Sequence, residues 1–194
     1  MTIKELILKT RSYRRFYQEE RISIATLVEL VDLARLTASA KNMQPIRYII
    51  SNNTLINKKI FSCLSWAGYL SDWNGPKEGE QPSGYIIMLR DNTITKDNYC
   101  DHGLAAQSIM LGATEKGYGG CIIAAINKEK LSNFLDIAEN LEVLLVLALG
   151  RPKETIILDV LQKGESHKYW RDDKGNQHVP KRLIEDIILN QYKQ

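Results

Sequence analysis

Apolar residues recur at helical spacing in several stretches of the chain. Thr2 with Glu5 three residues later forms a capping-box pattern, and Ile3, Leu6 and Ile7 supply one apolar face, so the spacing predicts a helix ending near Thr10. Ile24, Leu27, Val28, Val31 and Ala34 predict a second helix behind a Ser23 cap, with that set as its buried stripe. Residues 54–66 carry Ile56, Ile60, Phe61 and Leu64 and predict a third. Asp97 to Lys116 reads as a long helix rich in small residues (Gly103, Ala105, Ala106, Ser108, Gly112, Ala113), stopped by Gly117. Lys128 to Leu135 is a short helix, and Lys181 to Leu189 a closing amphipathic one. Strands are expected at Arg47–Ser51, Tyr85–Arg90 and Cys121–Ile126. A fully buried strand is expected at Leu141–Leu149, ended by Gly150-Arg151-Pro152.

From Ser71 to Gly84 three glycines and two prolines break all periodicity, which marks a long loop of the kind that is often functional. The reading is a single domain over residues 1–194 with an excursion around 66–84. Strands interspersed among helices make the fold class α+β, a mixed sheet layered between helices. Hydrophobic residues at 44% and charged residues at 25% exclude a disordered, collagen-like or disulfide-stapled chain. A net charge of +3 is too small to argue for nucleic acid or a membrane surface. The longest apolar run, Val143–Leu149, is far shorter than a membrane span, and Met1–Phe16 shows no secretory pattern. Cys63, Cys100 and Cys121 are odd in number without CxxC spacing, which fits a reduced cytoplasmic chain and no metal cluster.

The chain has no GxGxxG, P-loop, HExxH or GxSxG, and His102, His167 and His178 are scattered. An enzyme built this way leaves the hard chemistry to a bound cofactor. Four stretches stand out. Arg11-Ser12-Tyr13-Arg14 places two guanidinium groups about a hydroxyl, a phosphate clamp or a solvated basic surface. Ser39-Ala40-Lys41-Asn42-Met43-Gln44-Pro45 offers donors and acceptors for a polar heterocycle, or an ordinary turn. Gly117-Tyr118-Gly119-Gly120 followed by Cys121–Ala125 would let backbone lie against a flat ligand, or is a helix stop before a core strand. Lys181 and Arg182 stand at the predicted helix start, where a bound anion would resolve their conflict with the macrodipole; otherwise they are surface cations.

In this order these motifs resemble the nitroreductase family of flavin-dependent enzymes. The resemblance spans RSxRxF from Arg11, SxxNxQP from Ser39, DxGLAAQ at Asp101–Gln107, GYGG from Gly117, ALGxP at Ala148–Pro152, and VPKR ending at Arg182. It implies FMN as cofactor, with Arg11, Ser12, Arg14, Lys181 and Arg182 on the phosphate. Ser39, Asn42 and Gln44 would lie along the flavin, often from a partner subunit. Ile122, Ile123, Ala124 and Ala125 would pass one face of the ring. Thr10 departs from the arginine of many members, and Ile46 from a tryptophan often found after QP.

The resemblance further implies a ping-pong reaction. NADH or NADPH gives hydride to flavin N5, and a nitroaromatic, quinone or similar small acceptor then takes the electrons, with no side chain acting as nucleophile. A homodimer with FMN at its interface is implied, and the helix Asp97–Lys116 is the candidate for its core. Trp66, Tyr69 and Trp73 are candidates for the wall of the acceptor pocket, or pack the excursion onto the core. Two other functions fit parts of the pattern: a flavin-binding carrier or sensor without turnover, and a basic module that binds anionic partners.

Overall fold

The computed structural model describes residues 1–193, and the chain divides into two compact units. The larger comprises Met1–Trp66 and Asn74–Lys153; the smaller comprises Ala67–Trp73 and the described chain from Glu154.

In the larger unit α1 spans Ile3–Lys9, and the predicted capping box forms: Thr2 Oγ1 accepts from the Glu5 amide while the Glu5 carboxylate accepts from the Thr2 amide. β1 is Phe16–Tyr17, α2 is Ile24–Arg35 behind its Ser23 cap, β2 is Ile46–Ser51, and α3 is Thr54–Phe61 capped by Asn53. β3 (Gly84–Asp91), α4 (Asp101–Glu115), β4 (Gly119–Ile123), α5 (Lys128–Leu135) and β5 (Leu141–Pro152) complete the unit. The third helix stops five residues short of the predicted 66, and α4 starts four residues late, where Tyr99 takes a left-handed φ of 44°.

Five strands form one sheet in which every strand pair is antiparallel. β5 is its spine. One edge of β5 pairs with β3 from Gly84↔Leu149 to Asp91↔Leu141, with a bulge at Met88/Leu89, and its other edge carries β4 and then β1. The strand therefore runs through Gly150-Arg151-Pro152, where the sequence predicts a stop. Pro152 faces Phe16 in the last register position, where a missing N–H breaks no interior ladder bond.

β3 is buried along its whole length, which explains its unbroken apolar run. Ile86 and Met88 join Leu27, Leu30, Ile109, Met110 and Leu147 in the main core. α2 faces that core differently from the predicted stripe. Leu27, Leu30 and Ala34 are buried, whereas Ile24 and Val28 are 47% and 54% exposed. The cause is α4: a Cβ on Gly112 would lie 2.3 Å from Leu33 Cδ1 and 3.1 Å from Leu30 Cδ2, so the two helices meet at Leu30 and Leu33. Small residues in α4 thus serve a close approach within the chain.

In the smaller unit β6 (Ile156–Leu161), β7 (Trp170–Arg171) and β8 (Gln177–Arg182) form a sheet of order β6-β8-β7. β6 and β8 are parallel, β7 and β8 antiparallel. The predicted helix from Lys181 to Leu189 is absent. Lys181 and Arg182 end β8 in register with Val160 and Leu161, and only a 3-10 turn follows at Ile184–Asp186. A short helix needs a core against which to bury its apolar face, and Ile184, Ile187 and Leu189 are 66%, 58% and 90% exposed.

The excursion is pinned within the larger unit by a buried carboxylate that the hydropathy pattern does not reveal. Glu80 accepts two hydrogen bonds from Arg15, both 2.9 Å, and lies 3.3 Å from Lys153 Nζ. The Arg15 hydrogen bond, with Lys153 adding to it, holds the Glu80 carboxyl down to about 2. Because the folded value lies below the unfolded one, this stabilisation is present above about pH 4.5 and is lost as pH falls towards 2. Glu80→Gln should cost about 2 kcal/mol at neutral pH and flatten the acid limb of stability, read by denaturant melts across that range.

Candidate functional site

The Arg11–Arg14 segment leaves α1 and runs beside β4. Ser12 forms a parallel bridge with Gly120, and the Tyr13 amide donates to the Gly120 carbonyl at 2.9 Å. Two separate sequence motifs therefore become spatial neighbours. Arg11 turns back on its helix, Nε donating to Thr10 O at 2.5 Å and Nη2 to Ile7 O at 2.7 Å. Those bonds fix the side chain and leave the rest of its five donors for an anion. Ser12 is exposed; Arg14 is half-buried and donates to Ser12 O.

β4 has β5 on one edge and the Ser12 bridge on the other. Along it Cys121 and Ile123 turn inward while Ile122 is exposed, and Ala124 and Ala125 beyond the strand are exposed as well. The Ala125 carbonyl accepts from the Ser65 amide at 2.9 Å, and Leu64 bridges Ile126, which limits the open stretch of backbone to Ile122–Ala124.

The glycines before it have packing reasons. Gly117 takes a φ of +78° to end α4. A Cβ on Gly119 would lie 2.5 Å from the Tyr13 ring, and one on Gly120 would lie 2.5 Å from the Ala148 carbonyl oxygen. These residues let three segments of backbone converge beside Arg11–Arg14.

The Ser39–Pro45 loop sits at the other end of α4. Asp101, the first and buried residue of that helix, accepts from Ser39 Oγ at 2.5 Å and from the Ala40 amide at 3.0 Å. Ser39 Oγ in turn accepts from the Gln44 amide, and the Gln44 side chain donates to Asn42 Oδ1 at 3.1 Å. Lys41, Asn42 and Gln44 all adopt left-handed φ values of 51–54°. Three such non-glycine residues in four positions cost roughly 1 kcal/mol each or more, so the loop's shape is imposed by this network. A cavity of about 260 Å3 opens beside it, lined among others by Ser39, Gln44, Tyr48 and Asp101. Burial pushes the Tyr48 hydroxyl up to about 12, so it stays a donor. Asp101 has no role in the reading of single residues, although the DxGLAAQ motif contains it.

Thr10 and Thr114 hydroxyls lie 2.9 Å apart at the far end of α4. The Ser39–Gln44 loop and the Arg11–Arg14 segment are therefore separated by a 15-residue helix, roughly 20 Å. One larger unit does not bring them together.

Trp66 is buried in the larger unit, its ring 5.7 Å from that of Phe61 and closely covered by Gly75, which is a packing role. Tyr69 and Trp73 belong to the smaller unit. The Tyr69 ring lies 5.0 Å from that of Tyr169, tilted by 51°, Arg171 lies 4.7 Å over the Trp73 ring, and Tyr69 and Trp73 line a cavity of about 450 Å3 with Trp170 and Arg171. Lys181 and Arg182 are exposed on β8 of the same unit. Their placement on a strand removes the helix-macrodipole argument for an anion there and leaves their charge. Among the described residues, no group of histidine, cysteine and acidic side chains could hold a metal ion, and no helix is long and apolar enough to cross a membrane.

Comparison with known proteins points to one class. The model of the nitroreductase family matches residues 81–151. A protein of Archaeoglobus fulgidus named "Putative NADH dehydrogenase/NAD(P)H nitroreductase" is 26% identical over 178 residues, covering 88% of this chain and 91% of that protein. The crystal structure of a nitroreductase family protein from Clostridium novyi NT is 28% identical with a TM-score of 0.65, covering 79% of this chain and 86% of the other. An FMN-dependent nitroreductase from Clostridium difficile R20291 shares the fold at 18% identity and a TM-score of 0.65, covering 78% and 88%. The resemblance read from the sequence is borne out, and the fold is that of the nitroreductases.

Replacing Gly120 by alanine should push the new methyl into the Ala148 carbonyl and lower stability by about 2 kcal/mol. Thermal unfolding reads this as a Tm lower by about 5 °C.

Proposed function

We propose that this chain is an FMN-dependent oxidoreductase that takes hydride from NADH or NADPH and reduces a nitroaromatic, quinone or similar small acceptor. The observation that carries the reading is the Ser12–Gly120 bridge, which lays a two-arginine segment along the open edge of β4. The donor set fits the cofactor: guanidinium groups and a serine hydroxyl suit a phosphate, and exposed Ile122 and Ala124 suit the edge of a flat, polar ring. Bound FMN would supply the two-electron redox chemistry between the nicotinamide donor and the acceptor, in a ping-pong order.

The protein's part is to bind and orient. Arg11, Ser12 and Arg14 hold the phosphate. Backbone from Ile122 to Ala124 positions the ring and donates to the charge that develops on reduction. Ser39, Asn42 and Gln44, held by Asp101, bind from a second copy of the chain, because α4 keeps them away from Arg11–Arg14 of their own. Exposed Ile3, Ile7, Ile24, Val28 and Leu104 provide apolar surface for that pairing. Tyr69 and Trp73 line a cavity of the smaller unit, and Trp66 is packing within the larger one.

Purified protein should be yellow, and its flavin band should bleach with NADH or NADPH without oxygen and recover on adding a quinone. A band that bleaches without turnover would identify a carrier. Arg11→Ala with Arg14→Ala should weaken FMN binding at least about tenfold and leave riboflavin, which lacks the phosphate, unchanged. Protein that is colourless and takes up no FMN would overturn the reading. Sedimentation should give a mass twice the 22.1 kDa of one chain; a monomer would remove the role given to Ser39, Asn42 and Gln44.

A further inference from the structure

A cavity of about 340 Å3 lies within the larger unit, where the start of α3 meets the segments that precede α2 and β3. It shares no residue with Arg11–Arg14, β4 or the Ser39–Pro45 loop. Its floor is buried and uncharged. Tyr85 of β3 is in register with Ser51 of β2 and Ala148 of β5, so its backbone is enclosed and its side chain meets the cavity. Cross-strand partners share a face, and Ser51 Oγ donates to Asn57 Oδ1 at 2.7 Å, which puts Tyr85 on the α3 side of the sheet. Tyr85 is fully buried, and among the described residues its hydroxyl has no hydrogen-bond partner. Burial raises the pKa of that hydroxyl above the ordinary phenol value, so it remains a donor. Buried polar groups are almost always paired, because an unpaired one keeps the full cost of its lost hydration.

Two buried neighbours add donors. Ser83 Oγ accepts from the Ile22 amide at 3.3 Å, which leaves its own proton to give. Asn57 uses one N–H on the Ser83 carbonyl at 3.0 Å and keeps a second. Gln18 shapes the rim by accepting from the Gly79 and Gln81 amides at 2.7 and 3.1 Å. The charges at the mouth cancel: Glu19 and Glu78 stand against Arg21 and Lys58, all four exposed, with Lys58 3.7 Å from Glu78. An ionic ligand would lose its hydration over a floor that holds no counter-charge. A neutral molecule rich in oxygen suits both floor and rim, and the volume lies in the range of small-molecule clefts, from about 300 Å3 upward.

We propose that this cavity is a second ligand site, for a neutral polyhydroxyl molecule of monosaccharide size, one of whose oxygens accepts from the Tyr85 hydroxyl. The site stands apart from the flavin reading. A sugar ring carries hydroxyls on all sides, so it can accept from Tyr85, Ser83 and Asn57 inside and donate to the carboxylates at the mouth.

Saturation-transfer NMR on the whole protein, with D-glucose, D-ribose and myo-inositol each at millimolar concentration, tests the site. At least one should receive saturation, and its affinity should fall roughly fivefold or more in Tyr85→Phe. Polyols at molar concentration stabilise any protein by exclusion from its surface, so the probes stay dilute and the variant is the reference. Without sugar, Tyr85→Phe should melt no lower than the wild type. A clear fall in Tm would show the hydroxyl already bonded within the protein and overturn the proposal. Should Tyr85→Phe fail to fold, Thr54→Trp at the exposed rim covers the mouth and should abolish the transfer. A charged sugar, glucuronate or glucosamine, that outbinds all three neutral probes overturns the neutral class. No transfer to any of the three, or equal transfer in wild type and variant, overturns the site.

Discussion

Helix α4 and the hydrogen bonds at its two ends set the separation on which the candidate site depends. Asp101 opens the helix by taking two hydrogen bonds from the Ser39–Ala40 turn, and Thr114 closes it against Thr10 at the end of α1. Between them the helix lies close to α2 because Gly112 leaves room for Leu30 and Leu33. Each motif is thus tied to one end of a rigid rod. The two motifs therefore stand apart within one chain, separated by the length of the helix.

The convergence beside β4 depends on a second constraint, the close approach that two glycines allow. Gly119 and Gly120 admit Tyr13 and β5 at distances that no side chain would tolerate. That approach lets Ser12 bridge Gly120 and places the arginines along the strand edge. The same glycines that look suited to a ligand's face act through the protein's own packing. The excursion is held in a comparable way, by the Glu80 ion pairs with Arg15 and Lys153.

Much of the architecture was legible in the chain. The caps at Thr2 and Ser23, the stop at Gly117 and the unbroken apolar runs of β3 and β5 are local signals, and the structure realises each of them. Motif order indicated the nitroreductase fold because the spacing of short motifs along a chain survives where overall identity is low. The misjudged elements share a cause. Periodicity could not tell Leu30 from Val28 as the inward residue of α2, since the rotation of a helix is decided by its neighbour. Nor could it show that Ile184–Leu189 lacks a core, and the helix assigned there is a strand end and a turn.

By itself the sequence determined which residue types stand where, and hence most helices, the buried strands, and the supply of arginine, hydroxyl and amide groups for an anionic, planar ligand. Only the tertiary structure decided which of those groups meet. It put Arg11–Arg14 beside β4, carried Ser39–Gln44 to the opposite end of α4, buried Trp66 as packing, and set His178 between Asp159 of β6 and Asp172, which follows β7. Local structure depends on a few neighbouring residues and can be read from them. Proximity between distant residues depends on helix rotation, strand register and the space left by glycines, which are properties of the packed whole.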